Sequence, residues 1–252
     1  MSSIAISVVV FVCVFGGALF GMFLGGVLPK SHLDDASKDV VKLSMGLLAT
    51  LTALVLGLLI ASAKSSFDAQ TADVTEISAK VVLLDRVLAD YGPEARETRE
   101  VLRGIVVRSL DQLWPQERSG PSAPAVPATA RSDDLYQRVQ ALSPKDNTQR
   151  SLQAQAANMV LSLGEIRWLM YAQSANSISK PMLAVLVFWL TMIFISFGLS
   201  APPNATVTSA LLVCGLSVAG AIFLILELYA PYGGLIAISS APLRNTLAQL
   251  GH

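Results

Sequence analysis

Charge is what this chain has least of. Asp, Glu, Lys and Arg make up 14% of its 252 residues, where a soluble domain carries about a quarter. The 18 basic residues balance the 18 acidic ones, and no run of Lys or Arg occurs. That argues against a nucleic-acid partner and against a polybasic lipid-binding patch. Only two cysteines are present, Cys13 and Cys214, both inside apolar runs. They form no disulfide framework and no ligand pattern, and are expected to be small buried hydrophobes. The two histidines, His32 and His252, have no metal-binding spacing. No G-x-x-x-x-G-K-[ST], G-x-G-x-x-G or H-E-x-x-H occurs, and no Ser, His and Asp group as nucleophile, base and orienter. The expectation is therefore no catalytic residues, no cofactor and no metal.

Apolar residues are plentiful. They make up 53% of the chain, and the mean hydropathy is +0.57, so the chain reads as an integral membrane protein. Its clearest stretch is Leu43 to Ala63, 21 uncharged residues between Lys42 and Lys64. As a helix it spans roughly 30 Å, the thickness of a bilayer's hydrocarbon core, and the flanking ammonium groups reach the two interfaces. Along it Gly46, Thr50, Ala53, Gly57 and Ala61 recur at spacings of four, three, four and four, which puts them on one face. A stripe of small residues lets another backbone approach closely where water supplies no hydrophobic drive. Two readings stay open: packing within one subunit, or lining the axis of a symmetric assembly.

In chain order, the first apolar run gives a transmembrane helix over 4–28. No basic residue precedes it and no A-x-A exit follows it, so it is read as retained rather than as a signal peptide. Gly17, Gly21 and Gly25 form a doubled G-x-x-x-G, a helix-packing signal. Pro29 ends the helix. Ser31 and Asp34 then have the form of a capping box, so the next helix is expected to begin near His32. Among Asp34, Asp35 and Asp39, His32 is either a pH sensor or an interfacial side chain without a special role. Beyond Lys64, Phe67, Val74, Ile77, Val81, Leu84 and Leu88 keep a three-to-four spacing, so one long rod to about Asp90 is expected, mechanically joining membrane and aqueous parts.

Residues 65–179 are expected to form an all-helical domain with no strand signal. Pro93 is placed at the first position of a helix closed by Trp114-Pro115. Its mixed charges from Glu94 to Arg103 read as a solvated face. A Pro-rich loop covers 115–131, a short helix follows to about Leu142, and a longer one runs from about Lys145 to Ser177. Trp168 and Tyr171 would suit a membrane interface. Further transmembrane helices are expected over 181–199 and 207–228, and the tail 229–252 should carry a short helix near 242–250. Glu227 is the first charge after Met182. At the membrane edge it is either a functional carboxylate or a headgroup-level group capped by Tyr229 and Tyr232. Four spans place both termini and the helical domain on one side. Lys64, Lys80, Arg167, Lys180 and Arg244 there, against Lys30, Lys38 and Lys42 opposite, favour the cytoplasm of a cell with its inner membrane as the site. The fold expected is an all-α membrane protein: a hairpin over 1–64, the helical cytoplasmic domain inserted between the second and third spans, and a second hairpin over 180–228.

The stretches LPKSHLDDASKDVVKLSMGLLATLTALVLGLLIASAKSSFDAQ, LLDRVLADYGPEARETREVLR and FLILELYAPYGGLIAISSAPLRNTLAQLGH resemble the bacterial bestrophin-like domain family. The resemblance extends from Leu28 to Gly251 and implies kinship with bestrophins, homopentameric anion channels whose second membrane helix lines the pore. It implies a homo-oligomer, possible as a pentamer, in membrane lipid with chloride as the permeant ion. Thr50, Leu54, Gly57 and Ala61 would face that pore, Gly46 and Ala53 would serve helix packing, and His32 and Glu227 would modulate. The chain departs from bestrophins in two respects. Their bulky neck residues are missing, since this helix has no Phe before Phe67, and their acidic calcium clasp is missing, since Glu227 stands alone. The other functional class is a non-conducting membrane scaffold whose cytoplasmic helical domain binds a protein partner.

Overall fold

The computed structural model describes residues 2–27, 35–117, 129–174 and 180–251. Within them the protein is all-helical, without strands. The helices are α1 (Ser3–Val27), α2 (Asp35–Tyr91), α3 (Arg96–Leu113), α4 (Thr129–Gln140), α5 (Asn147–Ser174), α6 (Lys180–Ser200), α7 (Ala205–Leu228) and α8 (Ala241–Gln249). Four of them, α1, α2, α6 and α7, are long and apolar enough to cross a membrane. The helix through Lys42 to Lys64 does run on without a break, for 57 residues. The capping box at Ser31 and Asp34, and His32 with it, lie outside the described residues.

The chain divides into two compact units. The first comprises residues 1–67 and 177–230. Its core joins α1, α2, α6 and α7 through Val14, Leu59, Leu186, Phe194 and Ile222. The closest approach is between α1 and α6. A Cβ on Gly21 would lie 2.1 Å from the Ile195 carbonyl oxygen, and one on Gly198 would lie 2.0 Å from that of Ala18. The glycine repeat is therefore a backbone-to-backbone contact, as its spacing predicts, and Gly17 and Gly25 flank it against Thr191 and Leu199. α7 packs on α1 where Gly215 meets Phe11 and Phe15, whose rings stack 5.6 Å apart. Asn204 caps α7, its side chain accepting from the Val207 amide at 2.8 Å, which satisfies one of the donors a helix start leaves orphaned. Cys13 and Cys214 are exposed on α1 and α7 rather than buried. In a membrane span an apolar surround is supplied by lipid as readily as by a core, so an apolar run does not predict which side a thiol faces.

The second unit comprises residues 68–176 and 231–252, with the distal part of α2, α3, α4, α5 and α8. Pro93 does not open α3 directly. Gly92, at φ 123°, makes the reversal that a side chain would resist, a single 3₁₀ turn over Pro93–Ala95 follows, and α3 starts at Arg96. Asp146 caps α5 by accepting from the Gln149 amide at 2.7 Å. Gln153 donates to the Val139, Gln140 and Leu142 carbonyls at 3.0, 3.2 and 2.7 Å, collecting the carbonyls that the end of α4 leaves open.

The charges around α3 are not simply a solvated face. Arg99 forks onto Asp85 of α2, with Nε donating to Oδ1 at 2.7 Å and Nη2 to Oδ2 at 2.8 Å, and Asp85 is buried. Arg138 of α4 donates to Glu97 at 2.6 Å, and Lys145 pairs with Glu94. Arg99 and Glu97 tie α3 to α2 and α4, and Glu94 ties the turn before α3 to Lys145, whereas pairs along one helix would have left it alone. The tail lies on this unit: Trp114 Nε1 donates to the Ile238 carbonyl at 2.7 Å, Thr246 to the Ser78 carbonyl at 3.2 Å, and Ser240 and Arg244 to Glu117 at 2.6 and 2.8 Å. Trp168 and Tyr171 are both exposed, edge to face at 6.0 Å.

Candidate functional site

Of the four spans, α2 gives least of itself to its own chain. In its most apolar 18-residue window 11% is buried, against 28–33% for α1, α6 and α7. The face it does bury carries Thr52, Leu59 and Ala63, with Val55 and Leu56 packed beside them. At 100° per residue, Thr50, Leu54, Gly57 and Ala61 centre about 170° away from that face. All four are exposed, Leu54 by 59%. The small-residue stripe therefore points away from the chain's own core. A Cβ added to Gly46 or Gly57 would meet nothing within 4 Å, and Ala53 is exposed too. Among the described residues nothing packs on this stripe, so packing inside one subunit, one of the two readings open from sequence, is not seen there.

The stripe is polar only in part. The Thr50 hydroxyl donates to the Gly46 carbonyl at 2.9 Å, which leaves its lone pairs outward and no proton to offer. Thr52, on the packed side, donates to the Leu48 carbonyl at 2.7 Å. Charge returns at the ends of the apolar segment. Asp39 and Lys42 pair at 3.7 Å, well exposed, and the Lys64 ammonium lies 5.8 Å from the centre of the Phe67 ring, within reach of the ring's negative face. A surface of this kind, apolar and small-featured in its middle and charged at its rims, can border a narrow passage or another helix. It can hold no ion by itself.

Glu227, near the end of α7, is 4% exposed. It is enclosed by protein. Nearby, Ser62 Oγ and the Tyr229 hydroxyl approach to 3.4 Å, tying the end of the α2 span to the turn after α7. Neither sequence position carries a signal for this contact, since serine and tyrosine are ordinary at a membrane edge. Among the described residues, no three His, Cys, Asp or Glu side chains gather as a metal ion would require.

The sequence-expected residues thus separate into two sets. Gly17, Gly21 and Gly25 meet α6, while Gly46, Thr50, Ala53, Leu54, Gly57 and Ala61 share an outward face of α2 that none of the described residues covers.

The family model of the Bestrophin-like domain matches residues 12–243. No curated protein matches the sequence. Among solved structures the fold is similar to the crystal structure of a bacterial bestrophin homologue from Klebsiella pneumoniae, a single-substitution variant. The TM-score is 0.64 at 14% identity, covering 94% of this chain and 97% of that one.

Proposed function

The chain belongs to the Bestrophin-like domain family, and from that premise we propose that it is a homo-oligomeric anion channel whose pore is lined by α2. The observation that carries this reading is the outward stripe of Thr50, Leu54, Gly57 and Ala61, opposite the face that α2 buries. One chain encloses no passage with that stripe, so a symmetric ring must supply it. A pentamer is the arrangement implied by bestrophins. In such a ring the apolar middle gates by wetting and dewetting, and chloride is the ion to test first. The protein sits in the inner membrane, with the helical residues 65–179 and both termini in the cytoplasm. A phosphatase reporter fused after His252 stays inactive on that side, and an active fusion contradicts it.

The test is substitution at a position the single chain leaves open. A Cβ at Gly57 meets nothing within 4 Å among the described residues, so Gly57→Trp is expected to leave the subunit folded. In a pore lined by α2 a ring of indoles closes the axis, and chloride flux into proteoliposomes falls at least tenfold. Leu51→Trp, about 90° off the stripe's centre, leaves flux within twofold. Unchanged flux in an assembled Gly57→Trp protein removes α2 from the pore.

The scaffold reading draws on one observation, the lack of any charged side chain on the stripe. It predicts a stoichiometric protein partner on residues 65–179 and no flux from any oligomer. Deletion of those residues without loss of the partner rules it out.

A further inference from the structure

The second unit holds a cavity of about 440 Å³ between α2, α3, α4, α5 and the tail. Packed cores leave few voids larger than a water molecule, while about 300–1,000 Å³ is the usual range of small-molecule sites. Its walls are mostly aliphatic, including Ile77, Val106, Leu135, Leu163 and Met170. Gln112 and Tyr171 also border it, and both are exposed, which places its mouth at the surface of the unit. An apolar space takes up apolar molecules in preference to water, as one of about 150 Å³ takes up benzene.

What the wall withholds decides the ligand. Among the described residues no Asp or Glu lines it, and its cation, Arg167, is already engaged within the protein. The Ser109 hydroxyl donates to the Ile105 carbonyl at 2.9 Å, and Trp114 Nε1 to the Ile238 carbonyl at 2.7 Å. Tyr232 offers its ring, edge-on to Trp114 at 5.6 Å between centres, while its hydroxyl is shut off from solvent. Burial, and then the negative charge of Asp73, push the Tyr232 pKa up to about 12, so this wall is neutral at neutral pH. An anionic ligand would find a carboxylate behind that ring, and a cationic one would find no carboxylate on the wall. A charge taken out of water without a partner costs more than apolar contact returns. The wall therefore selects against ions of either sign.

Gly164 of α5 adds a second observation. It lines the cavity, and a Cβ placed on it would meet nothing within 4 Å. Glycine inside a helix is unfavourable relative to alanine by about 1 kcal/mol, and no close approach among the described residues requires it here. Its effect is to keep the space open.

We propose that this cavity binds an uncharged long-chain molecule of the fatty-alcohol class, its hydrocarbon body against α3 and α5 and its hydroxyl at the mouth beside Gln112. The site lies wholly within the second unit and does not depend on conduction.

The test uses the full chain in nanodiscs, since detergent would compete, and a decanol carrying a terminal diazirine. On illumination, labelled peptides are expected from α3 and α5, and unlabelled decanol should suppress them. Decanoate and decylamine, ionised at neutral pH and compared at equal free concentration, should compete about tenfold more weakly. Gly164→Leu fills the space from an open position, so it should abolish that labelling and raise the thermal midpoint. Met170→Trp, an independent filling variant, should abolish the labelling as well. Labelling confined to the membrane helices, or unchanged in both filling variants, overturns the site. A thermal midpoint lowered by Gly164→Leu overturns the open space. Competition by decanoate or decylamine equal to that of decanol overturns the uncharged class.

Discussion

At the residue scale the strongest constraints are contacts that leave no room. Gly21 stands where any side chain would enter the Ile195 carbonyl. A backbone atom cannot turn aside as a side chain can, so α1 and α6 must separate to admit even a methyl group. Gly21→Ala is expected to cost about 3 kcal/mol, read as a lower thermal midpoint in nanodiscs. Gly16→Ala, where a Cβ meets nothing, should be neutral or slightly stabilising. Equal midpoints for the two would contradict the close approach. The G-x-x-x-G spacing made this contact legible, because a single helix's geometry suffices to place Gly17, Gly21 and Gly25 on one line. Asp85 and Arg99 are a different case. They lie on two helices, and the alternating signs around Arg99 look like an ordinary wet surface. Only the fold brings the carboxylate under the guanidinium. Arg99→Ala strands a buried carboxylate and should cost about 3 kcal/mol. Asp85→Ala should cost less, since Arg99 is the more exposed partner. The opposite order in chemical denaturation would mean that Asp85 is satisfied elsewhere.

At the scale of the element, α2 shows what periodicity can and cannot tell. The spacing of Gly46, Thr50, Ala53, Gly57 and Ala61 identifies residues that share a face, and they do. It is silent on what lies opposite that face, because in a membrane span the lipid side, the protein side and a dewetted pore are all apolar. Leu58 and Leu59 are neighbours of the same type, yet Leu58 is exposed and Leu59 is buried in the core of the first unit. Leu59→Ala should therefore cost about 2–3 kcal/mol, whereas Leu58→Ala should stay within about 0.5 kcal/mol. Similar losses at both positions would mean that α2 is turned from the orientation described. The cavity of the second unit was illegible for a related reason. Val106, Leu163 and Met170 read as core positions, and no pattern along the chain distinguishes a residue that touches its neighbours from one that faces a gap.

At the scale of the whole molecule, family and fold agree. The Bestrophin-like domain covers residues 12–243, and the similarity to the Klebsiella pneumoniae homologue is one of fold at 14% identity. Function at that distance has to be argued from the site, and the site is a surface that one chain leaves uncovered. Its central claim is that the outer stripe of α2 meets water along an assembly axis rather than lipid. The direct measurement is thiol accessibility in chloride-conducting proteoliposomes, with Cys13 and Cys214 first replaced by serine because both are exposed. Single cysteines then replace Thr50, Leu54, Gly57, Ala61, Leu51 and Ile60 in turn, the last two each about 90° off the stripe's centre and exposed. A charged, membrane-impermeant methanethiosulfonate should react at the first four and reduce flux by at least half, while leaving Leu51→Cys and Ile60→Cys unmodified. Reaction at none of the four in an assembled, conducting protein would put the stripe in lipid or in a dry interface, and would contradict a pore lined by α2.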